Sequence, residues 1–264
     1  MAYQDYFSFE MKGHVGILRL CRPDRLNTVN YDWYNGLVEL EQKEIVGNTE
    51  LRAIAILADG KHFSAGIDLE FAQSTIGKNP VYEVNMLHYM QDCFRFLQYC
   101  NVPVVVGIQG ACMGTAMELI TACDFRICAD NAKFSIREVQ VGLGPDFGGS
   151  TRLVKLIGPG MARLLTMTCE DIDAQEALRI GLVERLVPRA ELEETTLRYA
   201  QKLADNPPLA VQMTKKCMNI AAEASYQASL IAEEIQSLHC ISTKDMREAV
   251  TAMRERRVGD YHYE

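Results

Sequence analysis

The sequence lacks the long apolar run that a membrane-spanning helix needs. Nowhere in its 264 residues do apolar side chains approach the ~20 in succession that cross a bilayer. The first residues, MAYQDYFSFEMKG, show no basic start followed by an apolar stretch, and the last, GDYHYE, form no retention or peroxisomal tripeptide. We therefore expect a cytoplasmic protein that does not associate with membranes.

Cysteine and histidine are not arranged as in metal or redox sites. The chain has nine cysteines and five histidines, but no Cys-x-x-Cys pair and no Cys/His cluster at zinc spacing. Most cysteines lie in apolar stretches such as ITACDFRICA, where a free thiol behaves as a small hydrophobic side chain. We predict reduced, mostly buried cysteines and no metal site.

Positive charge is in deficit. The chain has 27 Lys and Arg residues against 35 Asp and Glu residues, for a net charge of −8. Nucleic acid backbones attract basic surfaces. This balance argues against a nucleic-acid partner, although it leaves room for a local basic patch that binds an anionic group.

Common nucleotide-binding and serine hydrolase motifs are incomplete. In GLGPDF, at 142–147, phenylalanine stands where a dinucleotide fingerprint has its third glycine, and no Gly-Lys-Ser/Thr loop occurs. The stretch HFSAG, at 62–66, lacks the first glycine of Gly-x-Ser-x-Gly, and GGSTR, at 148–152, lacks the last. Neither class of activity is supported.

The hydrophobic pattern of the first 190 residues alternates between strands and helices. Short β-rich runs occur at 14–20, 53–57, 102–108, 125–128 and 183–186. Helical spacing occurs at 31–46, where Asn30 is a candidate N-cap, and again at 82–99. Strands separated by helices predict an α/β domain with crossover connections.

The pattern after about residue 188 is helical throughout. Four helices are predicted, at 190–204, 208–221, 223–240 and 244–256, with Asn206 and Pro207 as a helix start. We therefore predict two regions: an α/β core at 1–190 that holds the functional site, and a helical region at 191–264. The apolar stripes of such helices are expected to pack on the core or on a neighbouring subunit.

Three segments combine small residues with groups suited to acid–base chemistry. KHFSAGIDL, at 61–69, and QGACMGTAMEL, at 109–119, each follow a predicted strand, and their small residues leave backbone N–H groups accessible to a ligand. The run from Gly114 to Ala116 is typical of a helix N-terminus, which favours negative charge. The third segment, SIREVQVGLGPD at 135–146, is a loop that carries carboxylates.

Together these segments resemble the enoyl-CoA hydratase/isomerase (crotonase) superfamily. Further similarity lies in ACD at 122–124, GSTRL at 149–153, AQEA at 174–177, GLV at 181–183 and NPPLA at 206–210, so the resemblance covers nearly the whole chain. It implies a spiral of ββα turns with a C-terminal helical trimerisation region, and a homotrimer or homohexamer. It also implies an acyl-CoA thioester as substrate, with coenzyme A as part of that substrate and no separate cofactor.

The resemblance places an oxyanion hole on two backbone N–H groups, those of Ala65 and Thr115. Relatives more often have glycine at the position of Thr115, so its side chain is a departure that could narrow the pocket. Two fixed donors would stabilise the enolate that forms when a thioester loses its C2 proton. The residues expected to line the substrate around these donors are Phe63, Ser64, Gly66, Ile67, Asp68, Leu69 and Gly114. Asp68 also fits a structural helix cap.

The same resemblance implies three catalytic carboxylates, on Glu118, Glu138 and Asp146. Hydratases of the superfamily hold a water between two glutamates, at the positions of Glu118 and Glu138. The Δ3,5-Δ2,4-dienoyl-CoA isomerases add an aspartate eight residues after the second acid, as at Asp146 here. That subgroup usually has aspartate at the position of Glu118, which is a departure in this chain.

Dienoyl isomerisation gives a chemical reason for three acids. The reaction moves a proton from C2 to C6, too far for one carboxylate to serve both ends easily. Glu138 and Asp146 are the candidates for the two ends, and Glu118 would be a buried partner, since burial and neighbouring carboxylates raise pKa values. The alternative for Asp146 is a simple turn residue in Gly-Pro-Asp.

Three functions therefore remain open, in the following order. Isomerisation of 3,5-dienoyl-CoA to 2,4-dienoyl-CoA is favoured. The alternative is hydration of a 2-enoyl-CoA by syn addition of water, which includes hydration of a cyclic unsaturated acyl group. A non-catalytic, RNA-binding relative is disfavoured by the net charge of −8 and by the presence of all three acids.

Overall fold

The computed structural model describes residues 2–264, which contain nine strands in two sheets. In chain order the strands are β1 (Phe7–Lys12), β2 (Val15–Leu20), β3 (Ala53–Ala58), β4 (Val104–Ile108), β5 (Ala111–Met113), β6 (Phe125–Ala129), β7 (Lys133–Ser135), β8 (Ile172–Asp173) and β9 (Arg185–Val187). The larger sheet has the order β1-β2-β3-β4-β6-β9, and the smaller has the order β5-β7-β8. All neighbours pair in parallel except β1 with β2 and β7 with β8.

Ten α-helices follow or separate these strands. They are α1 (Tyr31–Leu40), α2 (Leu69–Thr75), α3 (Pro80–Tyr99), α4 (Thr115–Thr121), α5 (Gly149–Thr168), α6 (Ala174–Arg179), α7 (Leu192–Ala204), α8 (Pro208–Ala221), α9 (Tyr226–Ile241) and α10 (Lys244–Glu255). None of the helices within residues 2–264 is long and apolar enough to cross a membrane.

The chain repeats a turn of two strands and a helix. β4, β5 and α4 form one such turn, and β6, β7 and α5 form the next, with one strand in each sheet. After β3 the single residue Ser64 pairs with Cys112 of β5, and so takes the place of a strand in the smaller sheet. This arrangement confirms the predicted spiral of ββα turns.

The central strands of the larger sheet are buried on both faces. Every residue of β3 and β4 is buried. Side chains alternate across a strand, so Ala53, Ala55 and Leu57 pack in a cluster with α7, whereas Ile54 and Ile56 pack in the main core with α1, α3, α4 and α5. The predicted run of buried valines at 102–108 is β4 itself.

Predicted and observed elements differ mainly at their ends and in the short strands. Each predicted strand is present, but β1, β5, β7 and β8 were not predicted. Asn30 caps α1 as expected, since its side chain accepts a hydrogen bond from the Trp33 N–H at 2.9 Å. The predicted helix at 31–46 is α1 followed by a π-helical turn, Glu41–Ile45.

The last four helices confirm the helical prediction, with one correction. Asn206 is not the cap of α8: its side chain donates to the Lys202 carbonyl, and Pro207 is the N-cap. α7 packs on the larger sheet, so the region from 191 onward is partly core. By contrast, α9 and α10 expose many large apolar side chains, namely Tyr226, Ile231, Ile235, Leu238, Ile241, Met246, Val250 and Met253.

The cysteines are free thiols. Six of the nine are buried and three are partly buried. This distribution agrees with the prediction that they pack as small apolar side chains.

Candidate active site

The loop from Phe63 to Asp68 is anchored by the buried side chain of Asn27. This side chain is 1% exposed, and its Nδ2 donates to the carbonyls of Asp59, His62 and Phe63 at 3.1, 3.3 and 3.0 Å. Asn27 itself has a φ of 52°, a conformation that asparagine tolerates better than most residues. The loop backbone is therefore fixed before any ligand binds.

Phe63 and Ser64 are structural, and their expected contact with substrate is wrong. Phe63 is 0% and Ser64 is 1% exposed. The Ser64 Oγ donates to the Asn27 carbonyl at 2.7 Å and accepts from the Gly66 N–H at 3.1 Å. Both side chains are thus engaged inside the core, with no surface left for an acyl chain.

Asp68 is a helix cap, in agreement with the structural alternative. Its Oδ1 accepts from the N–H groups of Glu70 and Phe71 at 2.9 and 3.1 Å, at the start of α2. Its expected role in substrate binding is not supported, because the carboxylate is committed to the cap. Leu69, the next residue, is 73% exposed, and a substrate contact there stays a prediction.

Ala65 cannot be an oxyanion donor in this structure, so that expectation is wrong. Its N–H donates to the Leu26 carbonyl at 3.0 Å. The segment that contains Leu26 and Val29 runs beside the loop: the Leu26 carbonyl accepts from Ala65, and Val29 pairs with the backbone groups on both sides of Ile67. A donor already paired with a backbone carbonyl is not free for a ligand.

Ile67 provides the free N–H instead. The Gly66 carbonyl accepts from the Val29 N–H at 2.9 Å, and in a planar trans peptide the following N–H points the opposite way. The Ile67 N–H therefore points away from Val29, and it has no hydrogen-bond partner among residues 2–264. Gly66 has a φ of +87°, and a Cβ there would lie 2.5 Å from the Met113 carbonyl oxygen and 3.4 Å from the Thr115 nitrogen. The loop thus packs directly against the start of α4.

Thr115 is the first residue of α4 and supplies a second free N–H. The carbonyl of Gly114, the N-cap, accepts from the N–H groups of Met117 and Glu118 at 2.8 and 3.3 Å. The Thr115 N–H lies on the other side of that peptide plane and points out of the helix end. No described residue accepts from it. The Thr115 side chain is 2% exposed, so the departure from glycine places its methyl and hydroxyl groups in the interior.

Glu138 flanks this second donor. A Cβ on Gly114 would lie 3.0 Å from the Glu138 Oε1, so the carboxylate lies directly beside the helix end. Burial raises the pKa of Glu138, and the negative charge of Asp146 raises it further. Its buried Oε2 has no hydrogen-bond partner among the described residues.

Glu118 lies one helical turn after Thr115 and is fully buried. Its Oε2 accepts from the N–H groups of Phe147 and Gly149 at 2.8 and 2.7 Å, whereas its buried Oε1 has no partner within residues 2–264. Burial, followed by the charge of Glu138, raises the pKa of Glu118 to about 8. Both effects favour the protonated form of this carboxyl group.

Asp146 completes the cluster from the loop before α5. The side chain is half-buried, and burial raises its pKa. Its carbonyl accepts from the Gln91 Nε2 at 2.6 Å, which ties the loop to α3. Phe147, the residue after Asp146, donates its N–H to Glu118, and Glu138 lies beside the start of the helix that carries Glu118, so the structure brings all three predicted carboxylates together.

Arg152 supports the same loop. Its guanidinium donates to the Phe147 carbonyl at 2.8 Å and to the Gln98 Oε1 at 2.9 Å. The Phe147 carbonyl thus accepts from Arg152, and the Phe147 N–H donates to Glu118. These two bonds fix the segment that carries Asp146. The run GSTRL at 149–153 contains this arginine. Its side chain reaches back about one helical turn along the chain to the Phe147 carbonyl.

A family model described as enoyl-CoA hydratase/isomerase matches residues 10–264. The chain belongs to the enoyl-CoA hydratase/isomerase family. Two free N–H groups beside a cluster of carboxylates are what an acyl-CoA enzyme of this family needs to stabilise an enolate and move protons.

Members of this family that resemble the chain carry different activities. The short-chain-enoyl-CoA hydratase of Clostridium acetobutylicum is 34% identical over 257 residues, covering 94% of each chain. A mitochondrial Δ(3,5)-Δ(2,4)-dienoyl-CoA isomerase of Dictyostelium discoideum is 32% identical over 252 residues, covering 92% of this chain and 86% of the relative. The crystal structure of the enoyl-CoA hydratase of Bacillus anthracis superposes with a TM-score of 0.92 at 30% identity, covering 98% of this chain and 100% of the other.

Proposed function

We propose that the protein isomerises 3,5-dienoyl-CoA to 2,4-dienoyl-CoA. The observation that carries this proposal is the position of Asp146, whose half-buried carboxylate interacts electrostatically with Glu118 and Glu138. A turn residue exposed to solvent would not have its pKa raised by burial. Similarity to several dienoyl-CoA isomerases supports the same activity.

In this proposal the thioester carbonyl oxygen accepts hydrogen bonds from the N–H groups of Ile67 and Thr115. Loss of the C2 proton turns this oxygen into an enolate oxygen, and fixed donors stabilise the new charge. In enzymes from which one such donor has been removed, the loss is about 3–4 kcal/mol. Both donors belong to rigid segments, the loop anchored by Asn27 and the start of α4, so little reorganisation is needed during the reaction.

Glu138 and Asp146 then exchange protons with the two ends of the conjugated system. One takes the proton from C2 and the other delivers a proton at C6, so that a single enolate intermediate connects the two dienes. Burial raises both pKa values, the direction that brings a carboxyl group closer to the pH at which the enzyme works. Glu118 stays protonated and adds no second negative charge beside the enolate.

Hydration of a 2-enoyl-CoA is the second candidate, and a specific observation favours it. Glu118 and Glu138 each have one buried oxygen without a protein partner, and two such oxygens are suited to hold a water molecule. Addition of this water at C3, with a proton at C2 on the same face, is the reaction of a hydratase. The similarity to short-chain-enoyl-CoA hydratase supports this candidate.

The Asp146→Asn variant separates the two functions. For an isomerase, we expect dienoyl isomerisation to fall by roughly two to four orders of magnitude, while hydration of a short 2-enoyl-CoA changes by less than about tenfold. Glu138→Gln should damage both activities. Turnover is measured with matched 3,5-dienoyl and 2-enoyl thioesters. Intact dienoyl turnover in Asp146→Asn, or a wild-type enzyme that only hydrates, would reject the isomerase.

We also propose that the chain assembles as a homotrimer or homohexamer through its last helices. The exposed apolar side chains of α9 and α10 support this, because one subunit leaves them in contact with water.

A further inference from the structure

Tyr34, on α1, carries a buried hydroxyl that the proposed reaction does not use. The residue is 0% exposed, and its ring packs against those of Phe94 and Phe147, with centroids 5.8 and 5.9 Å apart. The hydroxyl has no hydrogen-bond partner in the part of the chain that the structure describes. Burial of an unpaired hydroxyl costs about 1–3 kcal/mol, so a phenylalanine would be the more stable choice here.

Carboxylates of the active site lie close enough to this hydroxyl for their charges to act on it. Burial and the charges of Glu118 and Asp146, together with the Cys93 thiol of α3, raise the pKa of Tyr34 well above its usual value. Phe147 forms a physical link, because its ring packs on Tyr34 while its N–H donates to Glu118. Glu118 is faced in addition by Glu138 and by Arg152 of α5.

The hydrogen bonds of Glu118 determine which of its oxygens carries the proton. Oε2 already accepts two N–H groups, so the proton of the neutral acid belongs on Oε1. Oε1 is then a donor without an acceptor in the protein. A tyrosine hydroxyl accepts and donates at the same time, and Asp146 is an acceptor when ionised.

We propose that Tyr34 is a positioning residue whose hydroxyl, in the substrate-bound enzyme, accepts from the Glu118 Oε1–H and donates to Asp146. The hydroxyl then favours the protonated form of one acid and the ionised form of the other. This role depends on the proposed function for its kinetic effect, because it makes Asp146 the base that takes the C2 proton of the dienoyl substrate, and a base must start ionised.

Tyr34→Phe removes the hydroxyl and keeps the ring. The matched control is Tyr6→Phe, a buried tyrosine that belongs to the same aromatic cluster through Phe7 and Trp33 but does not face the three acids. Without the Tyr34 hydroxyl, Glu118 loses its proton at a lower pH and Asp146 gains one at a higher pH. The bell-shaped pH profile of kcat should therefore narrow from both sides, by about one pH unit each.

At the optimum pH we expect kcat to fall about tenfold, with KM unchanged within about twofold. A hydroxyl with only a structural role would change the Tm without narrowing the profile. The proposal would be overturned if the pH profile of kcat kept its width in Tyr34→Phe, or if both of its limbs shifted in one direction. Equal narrowing of the profile in Tyr6→Phe would overturn it as well.

Infrared spectroscopy tests the contact without relying on the reaction. The C=O stretch of protonated Glu118, identified by its loss in Glu118→Gln, is recorded with a saturated acyl-CoA bound. We expect this band to shift in Tyr34→Phe and not in Tyr6→Phe, and an unshifted band would reject the contact even in a working isomerase. If Tyr34→Phe does not fold, 3-fluorotyrosine at position 34 should shift the same band, and an unshifted band would again reject the contact.

Discussion

Replacement of Thr115 by proline removes one proposed oxyanion donor with little other damage. Thr115 is the first residue of α4, where proline is tolerated because its fixed φ is helical and no helical hydrogen bond uses that N–H. Gly114, just before it, has a φ of 54° and a ψ of −121°, the mirror image of the extended conformation, which glycine adopts readily and which lies outside the helical region that a following proline disfavours. The variant should therefore fold.

The expected loss follows from the donor count. Two N–H groups would stabilise the enolate oxygen, and loss of one costs about 3–4 kcal/mol, or two to three orders of magnitude in kcat. Thr115→Gly is the control, because it keeps the N–H and removes only the side chain. We expect this control to lie within about threefold of wild type, since no transition-state donor is lost.

The measurement is steady-state turnover of the best acyl-CoA substrate, alongside the Tm of each variant. A folded Thr115→Pro protein that keeps more than about a tenth of wild-type kcat would refute the oxyanion role of this N–H. Backbone esters, introduced with α-hydroxy acids, extend the test to Ile67 and Ala65. An ester at Ile67 should reduce kcat, whereas one at Ala65 should cost about 1 kcal/mol of stability and leave turnover intact. The reverse result would restore Ala65 as the donor.

Two further predictions concern stability and assembly. Burial raises the pKa of Glu41 to about 9, so the folded chain holds a proton that the unfolded chain loses above about 4.5. Stability should therefore fall as pH rises between these values, by up to about 1.4 kcal/mol per pH unit. In urea titrations, Glu41→Gln should make the free energy of unfolding fall less steeply as pH rises, whereas replacement of the exposed Glu10 by glutamine should not. Parallel pH curves for wild type and Glu41→Gln would contradict the assignment of this fall to Glu41. Light scattering should give three or six times the 29.7 kDa chain mass, and a monomer at micromolar concentration would refute the assembly.

The features that could be predicted from sequence are those that local pattern determines. The valine run of β4, the cap at Asn30 and the helical spacing after 188 each depend on residues close in the chain, and each is present. The carboxylates were identified by resemblance. The structure brings them together because α4, with Glu118, follows β5, and the segment with Glu138 and Asp146 follows the neighbouring strand β7. The short strands β5, β7 and β8 were missed because two or three residues carry too little periodicity.

The error at Ala65, and the absence of any sequence signal for Tyr34, have a different origin. Whether the N–H of Ala65 or of Ile67 is free depends on Leu26 and Val29, about forty residues away, whose pairing no local pattern reveals. Tyr34 reads as an ordinary core residue of α1, and its relation to Glu118 exists only through the packing of Phe147. Sequence patterns predict the elements, whereas the state of one hydrogen bond depends on the tertiary fold.

The close approach of Gly149 to Glu118 has a consequence for how this protein can vary. A Cβ on Gly149 would lie 2.7 Å from both the Cγ and the Oε2 of Glu118, so the smallest added side chain collides with the acid. The two positions are therefore epistatic: alanine at 149 is harmful beside glutamate and tolerable beside a shorter acid. A lineage that exchanges glutamate for aspartate at 118 gains freedom at 149, and the order in which the two mutations arise decides which evolutionary path stays open.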